Sequence, residues 1–283
     1  MATFTNQATL SYNGTTVNSN TVTGNLVEVL AVTKTAVDNS YSANEDVTYI
    51  VSITNSGAVP FTGITVTDNL GAYTFDTQTI TPLDYVDGSL VYYQNGVLQA
   101  TPTVTQTQPL TVTGLTVPPG GNAILVYEVR TNGFAPLATD STITNEAVIT
   151  ATGLSTPVTA EETISVLDAP NLSITKSLSP VNVTENSEIT YTFTIQNTGN
   201  TPAGVGDDIV IADIFNPILS NISVTVDATP LPATSYTYNE ATGEFATIPG
   251  SITVPAATFT QDPTTGAWII TPGVTTITIV GTV

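Results

Sequence analysis

The chain has 283 residues, of which 23 are acidic and 3 basic for a formal net charge of −20, and it contains neither cysteine nor histidine. That charge repels nucleic-acid phosphates and anionic membrane surfaces, and the missing residue types exclude disulfides, thiol nucleophiles, soft metal sites and an imidazole base. Charged residues make up 9% of the chain against about a quarter in an average protein, and the length suits two domains, each with its own core.

In chain order, Met1 to Gln7 carry neither the basic nor the apolar stretch of an export leader, and no apolar run is long enough to cross a bilayer. The expectation is a chain that is neither exported by that route nor anchored in a membrane. Residues 1–14 read as a strand with Phe4, Asn6, Ala8 and Leu10 on one face and Thr5, Gln7 and Thr9 on the other. Residues 15–29 read as a connector. Period-two alternation then marks strands at 46–54, 63–67, 89–93, 124–129 and 143–150, and again from residue 188, with turns such as Asn95-Gly96 and Asn132-Gly133 between them. Residues 155–171 read as a linker. This pattern predicts an all-β fold of two tandem immunoglobulin-like β-sandwich domains, 30–154 and 172–283, preceded by an N-terminal strand.

An internal repeat organises the chain. Leu30-Ala31-Val32-Thr33-Lys34-Thr35 returns 142 residues later as Leu172-Ser173-Ile174-Thr175-Lys176-Ser177. Val47-Thr48-Tyr49 then faces Ile189-Thr190-Tyr191, Asn55-Ser56-Gly57 faces Asn197-Thr198-Gly199, and Ile64 to Asp68 faces Ile209 to Asp213. Pro119-Gly120 and Ile124 match Pro272-Gly273 and Ile277. The second copy ends where the first continues through Ile143-Thr144-Asn145-Glu146-Ala147-Val148 to Gly153, so domain 2 is expected to lack its last strand. A copy of that strand, Phe4 to Leu10 with a closing Gly14, stands at the other end of the chain.

A sandwich short of one strand exposes an unpaired edge and an apolar groove. Donation of the N-terminal strand by another copy would fill it. With donor and acceptor at opposite ends, such a contact propagates as a filament. Two other arrangements remain open to the sequence: a closed monomer, with a connector able to span roughly 55 Å, and a disordered tail.

The chain resembles, over nearly its whole length, the bacterial surface-protein repeat catalogued as domain of unknown function eleven. The motifs that carry the likeness are the Thr-Lys-Thr opening at Lys34, the strand at Thr48-Tyr49, the Asn-Xaa-Gly turns, Val66-Thr67-Asp68-Asn69-Leu70 and Asn145-Glu146-Ala147-Val148-Ile149. With two repeats and no leader it is similar, more narrowly, to the ribbon-appendage subunits on spores of anaerobic spore-forming bacteria. That resemblance implies an extracellular fibre on the spore surface whose chief partner is another copy of itself, with an anchor or tip protein besides.

The two lysines, Lys34 and Lys176, occupy the same repeat position. The family also resembles pilus sandwich domains in which a buried first-strand lysine condenses with a last-strand asparagine beside an acid. That likeness implies Lys34, Asp68 and Asn145 for domain 1, and Lys176 and Asp213 with a donated Asn6 for an intersubunit bond. Burial disfavours both the charged amine and the charged carboxylate, and contact makes the step effectively unimolecular. The alternative reading gives ordinary ion pairs, turn caps and strand-end hydrogen bonds.

Other features weigh less. Asn55 and Asn197 read as turn residues. Gly206-Asp207-Asp208 lacks calcium-loop spacing, Trp268 reads as core, and Glu161-Glu162 falls in the expected linker. No enzyme, cofactor or metal is expected beyond single-turnover bond formation. A monomeric adhesin or carbohydrate-binding module is the alternative to a fibre subunit.

Overall fold

The computed structural model describes residues 2–26 and 29–283. Its N-terminal part is a ribbon. β1 (Ala2–Asn6) and β2 (Thr9–Tyr12) turn at Asn13-Gly14 into β3 (Thr15–Asn18) and β4 (Val22–Leu26), with β2 on β3 and β1 on β4 antiparallel. Asn13 and Gly14 have φ of +44° and +77°, the left-handed pair that suits the twist of a two-residue hairpin. The expected connector 15–29 is corrected: 15–26 hold the ribbon's second strand, because β-branched Thr and Val follow that turn at a strand period. Residues 1, 27 and 28 of the expected donor and connector lie outside the described residues.

Domain 1 runs through β5 (Leu30–Ala36), β6 (Ser40–Tyr41), β7 (Asp46–Asn55), β8 (Phe61–Asp68), β9 (Tyr73–Phe75), β10 (Gln78–Ile80), β11 (Leu83–Tyr85), β12 (Val91–Gln94), β13 (Val97–Leu98), β14 (Thr103–Thr107), β15 (Leu110–Val117), β16 (Asn122–Thr131), β17 (Thr142–Thr150) and β18 (Val158–Val166). One sheet has the order β13-β12-β16-β7-β5, and the other β14-β15-β8-β17-β18-β6. Every second residue of β7, β16 and β17 is buried, so the inner faces interdigitate as in a sandwich. The expected linker 155–171 is corrected as well. β18 pairs with β17 from Ile143↔Ile164 to Ile149↔Val158, and Ile164 is fully buried. Residues 167–171 connect β18 to the first strand of domain 2.

Domain 2 comprises β19 (Leu172–Ser179), β20 (Glu188–Asn197), β21 (Ala212–Ile214), β22 (Ser220–Val226), β23 (Thr229–Pro230), β24 (Tyr236–Asn239), β25 (Glu244–Thr247), β26 (Thr258–Gln261), β27 (Trp268–Thr271) and β28 (Gly273–Thr282). Its main sheet is β19-β20-β28-β22-β23, facing a small sheet β21-β25-β24. The β26–β27 hairpin leans on domain 1. Trp268, expected in the core, instead donates its indole N–H to the Tyr73 hydroxyl at 3.3 Å, and a Cβ on Gly266 would press on Phe75 and Ile80 of domain 1.

Candidate functional site

Lys34, Asp68 and Asn145 come from three strands, β5, β8 and β17, each at an inward position of its alternation. Ala147 pairs with Asp68, which sets Asn145 one inward position further along β17. All three side chains are buried, Lys34 to 3% residual exposure.

The Lys34 ammonium donates to Asp68 Oδ2 at 2.5 Å and lies 4.7 Å from the centre of the Tyr49 ring. Tyr127 donates its hydroxyl to the same carboxylate oxygen, and the Leu70 amide donates to Oδ1 at 2.9 Å. Burial pulls the Lys34 pKa below that of an ordinary lysine, and the Asp68 charge only partly opposes it. Burial, then the neighbouring carboxylate, pushes the Tyr127 hydroxyl well above its usual value. Sequence reasoning missed Tyr127 and Tyr49. Both sit in apolar alternations that read as core, and at the Tyr127 position domain 2 has Ile279, the residue opposite Tyr191.

Asn145 Oδ1 accepts from the Gly71 amide at 3.2 Å, while its Nδ2 and the Tyr49 hydroxyl are the two buried side-chain polar atoms without a partner among the described residues. An unsatisfied buried donor costs about 1–3 kcal/mol. Asn145 is thus held through its carbonyl oxygen with its amino group unused, one inward position along β17 from the residue that pairs with Asp68.

In domain 2, Lys176 donates to Asp213 and lies 4.6 Å from the Tyr191 ring centre, the Lys34–Tyr49 arrangement again. The difference is cover: the paired side chains are 0% and 1% exposed in domain 1 but 40% and 18% in domain 2. Among the described residues no strand occupies the β17 or β18 place beside β21 and β19, and every residue of β19 is exposed. A groove of about 210 Å³ results, lined by Leu172, Ile174, Ile195, Ile209, Val210 and Ile211. Five of these repeat Leu30, Val32, Ile53, Ile64 and Val66, which pack in the core of domain 1.

Residues 3–23 of the ribbon that holds Asn6 are all exposed. Asn6 lies opposite Val22, Ala8 exchanges hydrogen bonds with Ser19, and Phe4 and Leu10 are 58% and 62% exposed. Lys34, Asp68 and Asn145 are therefore brought together, Lys176 and Asp213 are brought together, and Asn6 stands apart from both sets. Among the minor candidates, Asn55 and Asn197 each close a turn, their Oδ1 atoms accepting from Gly57 and Gly199 at 2.9 Å. Asp207 accepts from the Gly204 amide at 2.7 Å within a short 3₁₀ turn.

Neither a family model nor a curated protein matches the sequence. Solved structures with some likeness include the RrgA Jo.In complex, at 10% identity over 45% of this chain and 74% of that one with a TM-score of 0.32. The collagen-binding subdomain of the Enterococcus faecalis surface protein ACE shares 10% identity over 48% of this chain and 94% of its own, with a TM-score of 0.31. BslA, a bacterial hydrophobin, shares 14% identity over 51% of this chain and all of its own, with a TM-score of 0.32. Likenesses this remote carry no argument about what the chain does.

Proposed function

We propose that this chain is a structural, non-enzymatic subunit of an extracellular fibre, joined head to tail by donation of its N-terminal segment to domain 2 of a second copy. The observation that carries the reading is the open groove of domain 2, whose lysine and acid repeat those of domain 1 while the asparagine that completes the set stands at the N-terminus. The resemblance to spore ribbon-appendage subunits makes the spore surface the place to look for it.

Chain geometry favours a second copy over self-closure. β5 begins at Leu30, next to the Val158 end of β18, whereas domain 2 departs from the Val166 end. The nine residues of β18 put roughly 27 Å between those two poles. The four Cα steps from Leu26 to Leu30 reach about 14 Å at most. A ribbon seated on domain 2 as β17 and β18 sit on domain 1 leads its own domain 1 beyond the Ser179 end of β19. Folding back within one chain would require the Trp268–Tyr73 contact to open.

The covalent step is a condensation. Lys34 Nζ attacks Asn145 Cγ, the new C–N bond forms, the Cγ–Nδ2 bond breaks, and Nδ2 leaves as ammonia. Asp68, already bonded to the ammonium, takes one proton from it to free the amine, gives that proton to the departing nitrogen and takes a second from the attacking nitrogen, so it ends protonated as ammonia leaves. The bonded product removes the unpartnered Nδ2. Lys176, Asp213 and Asn6 of a second copy repeat the step between subunits.

The test is boiling denaturing electrophoresis with intact-mass measurement of wild type, Asn6→Ala and Lys176→Ala. A heat-resistant ladder that collapses to monomer in either variant, each bond lighter by one ammonia, supports the covalent fibre. Filaments under native conditions with only monomer after boiling would leave strand donation without the bond. If no filament forms under any condition and residues 2–12 can be deleted without consequence, the fibre reading fails and the adhesin reading replaces it.

A further inference from the structure

We infer that the donated element is the entire two-stranded ribbon β1–β4, whose second strand takes the place of β18 along β19 and seals the Lys176 site; this rests on the head-to-tail reading above. The ribbon repeats the β17–β18 hairpin at both ends, with one extra residue in its second strand between them: Ala8 meets Ser19 but Asn6 lies opposite Val22, whereas β17–β18 keeps a single register. Leu10↔Val17 stands where domain 1 has Ile149↔Val158, and Asn6↔Val22 where it has Asn145↔Glu162. Gly14 at φ +77° closes the turn as Gly153 does at +85°.

A lone strand would satisfy only half of the exposed surface. In domain 1, β17 hydrogen-bonds to β8, but it is β18 that lies against the flank of β5, with Val158 beside Leu30 at the rim. The same flank in domain 2 is β19, exposed along its whole length, with Ile174 at 54%. The ribbon brings the matching cover: Leu10 for the groove beside Ile211 and Val17 for the side of Leu172 and Ile174. A two-stranded ribbon with both faces in water is marginal by itself, and Phe4, Leu10, Tyr12, Val17 and Val22 are all exposed in this one.

The ribbon also alters the charge around the lysine. Glu146 and Glu162 of β17 and β18 contribute to the field at Lys34. Gln7 and Val22 hold those places in the ribbon, so a seated ribbon leaves Asp213 as the carboxylate facing Lys176.

The test uses the full chain. A Val17→Asp/Val22→Asp variant should polymerise about a hundredfold less than wild type or worse, since two buried valines lose their cover. Thr16→Asp/Thr23→Asp, on the opposite face of the same strand, should polymerise as wild type. Because an aspartate could loosen the ribbon itself, hydrogen exchange on wild-type filaments is the second measurement: amides of residues 15–26 become protected on assembly together with those of 2–12. Protection confined to 2–12, or undiminished polymerisation of the valine variant, overturns the ribbon while leaving head-to-tail donation intact. A wild-type chain that does not polymerise removes the parent reading instead.

Discussion

The Phe4 ring lies over Gly24 across the N-terminal ribbon, at the positions that Ile143 and Ile164 hold across β17 and β18. One large and one absent side chain replace two medium ones, so the inward volume of the pair is roughly kept. A Cβ at residue 24 would overlap the ring. Gly24→Ile is therefore expected to weaken assembly by about tenfold or more, and Phe4→Ile added to it to restore much of the loss. Sedimentation of the two variants beside wild type measures both.

Leu10 and Ile149 occupy equivalent places in opposite states, one 62% exposed and the other fully buried. Ile149→Ala should destabilise domain 1 by about 2–5 kcal/mol in urea unfolding. Leu10→Ala should leave the unfolding of the monomer unchanged and slow its polymerisation. A Leu10→Ala chain that unfolds more easily as a monomer would mean that the ribbon packs on its own chain.

Asp68 is the buried counter-charge of Lys34. Asp68→Ala leaves that amine unpaired and should cost about 3–5 kcal/mol, with no loss of ammonia in the intact mass. Replacing the pair together, Lys34→Met with Asp68→Leu, should recover most of the stability and none of the condensation. Urea midpoints together with intact masses separate the two effects.

The hydroxyls of Tyr49 and Tyr127 ionise above the usual value of 10.0 in the folded chain, because burial first and the Asp68 charge second oppose the phenolate. Unfolded tyrosines ionise near 10.0, so this contribution to stability is complete below that pH and is lost as pH rises from there through the raised values. A free Lys34 amine acts in the opposite sense, its lowered pKa adding stability as pH rises towards 10.5. The Tm of domain 1 should therefore fall on the far alkaline side, and Tyr127→Phe should flatten the fall. A level Tm there would contradict the burial of these hydroxyls.

Tyr73 gathers the contacts between the domains. Its hydroxyl donates to the Phe134 carbonyl at 2.8 Å and accepts from Gln261 and Trp268 at 3.1 and 3.3 Å. Trp268 is the single tryptophan, so its fluorescence reports this contact. Tyr73→Phe should shift the emission to longer wavelength as water reaches the indole. An unchanged spectrum would place the stability of the contact in the apolar packing of Gly266 on Phe75 and Ile80.

What the sequence by itself determined is local and periodic. Alternation in 46–54, 124–129 and 143–150 specified β7, β16 and β17, because a strand with one buried face must repeat every second residue. The repeat put the two lysines at one equivalent position and the two aspartates at another, with three more residues between the second pair than the first, and the resemblance implied that each lysine meets its aspartate, as it does. Only the tertiary structure decided what covers what. β18 went unread because Val158 to Val166 alternates Thr and Glu outward in a polar stretch, and its burial comes from lying between β17 and β5. The second ribbon strand went unread for the same reason, its cue being pairing with β1 and β2 rather than a hydrophobic run of its own. Nor could composition foretell that Tyr127 would bond to Asp68 or that β18 would lie against β5. Those depend on which strands meet across the sandwich, and strand pairing is set by contacts far apart along the chain.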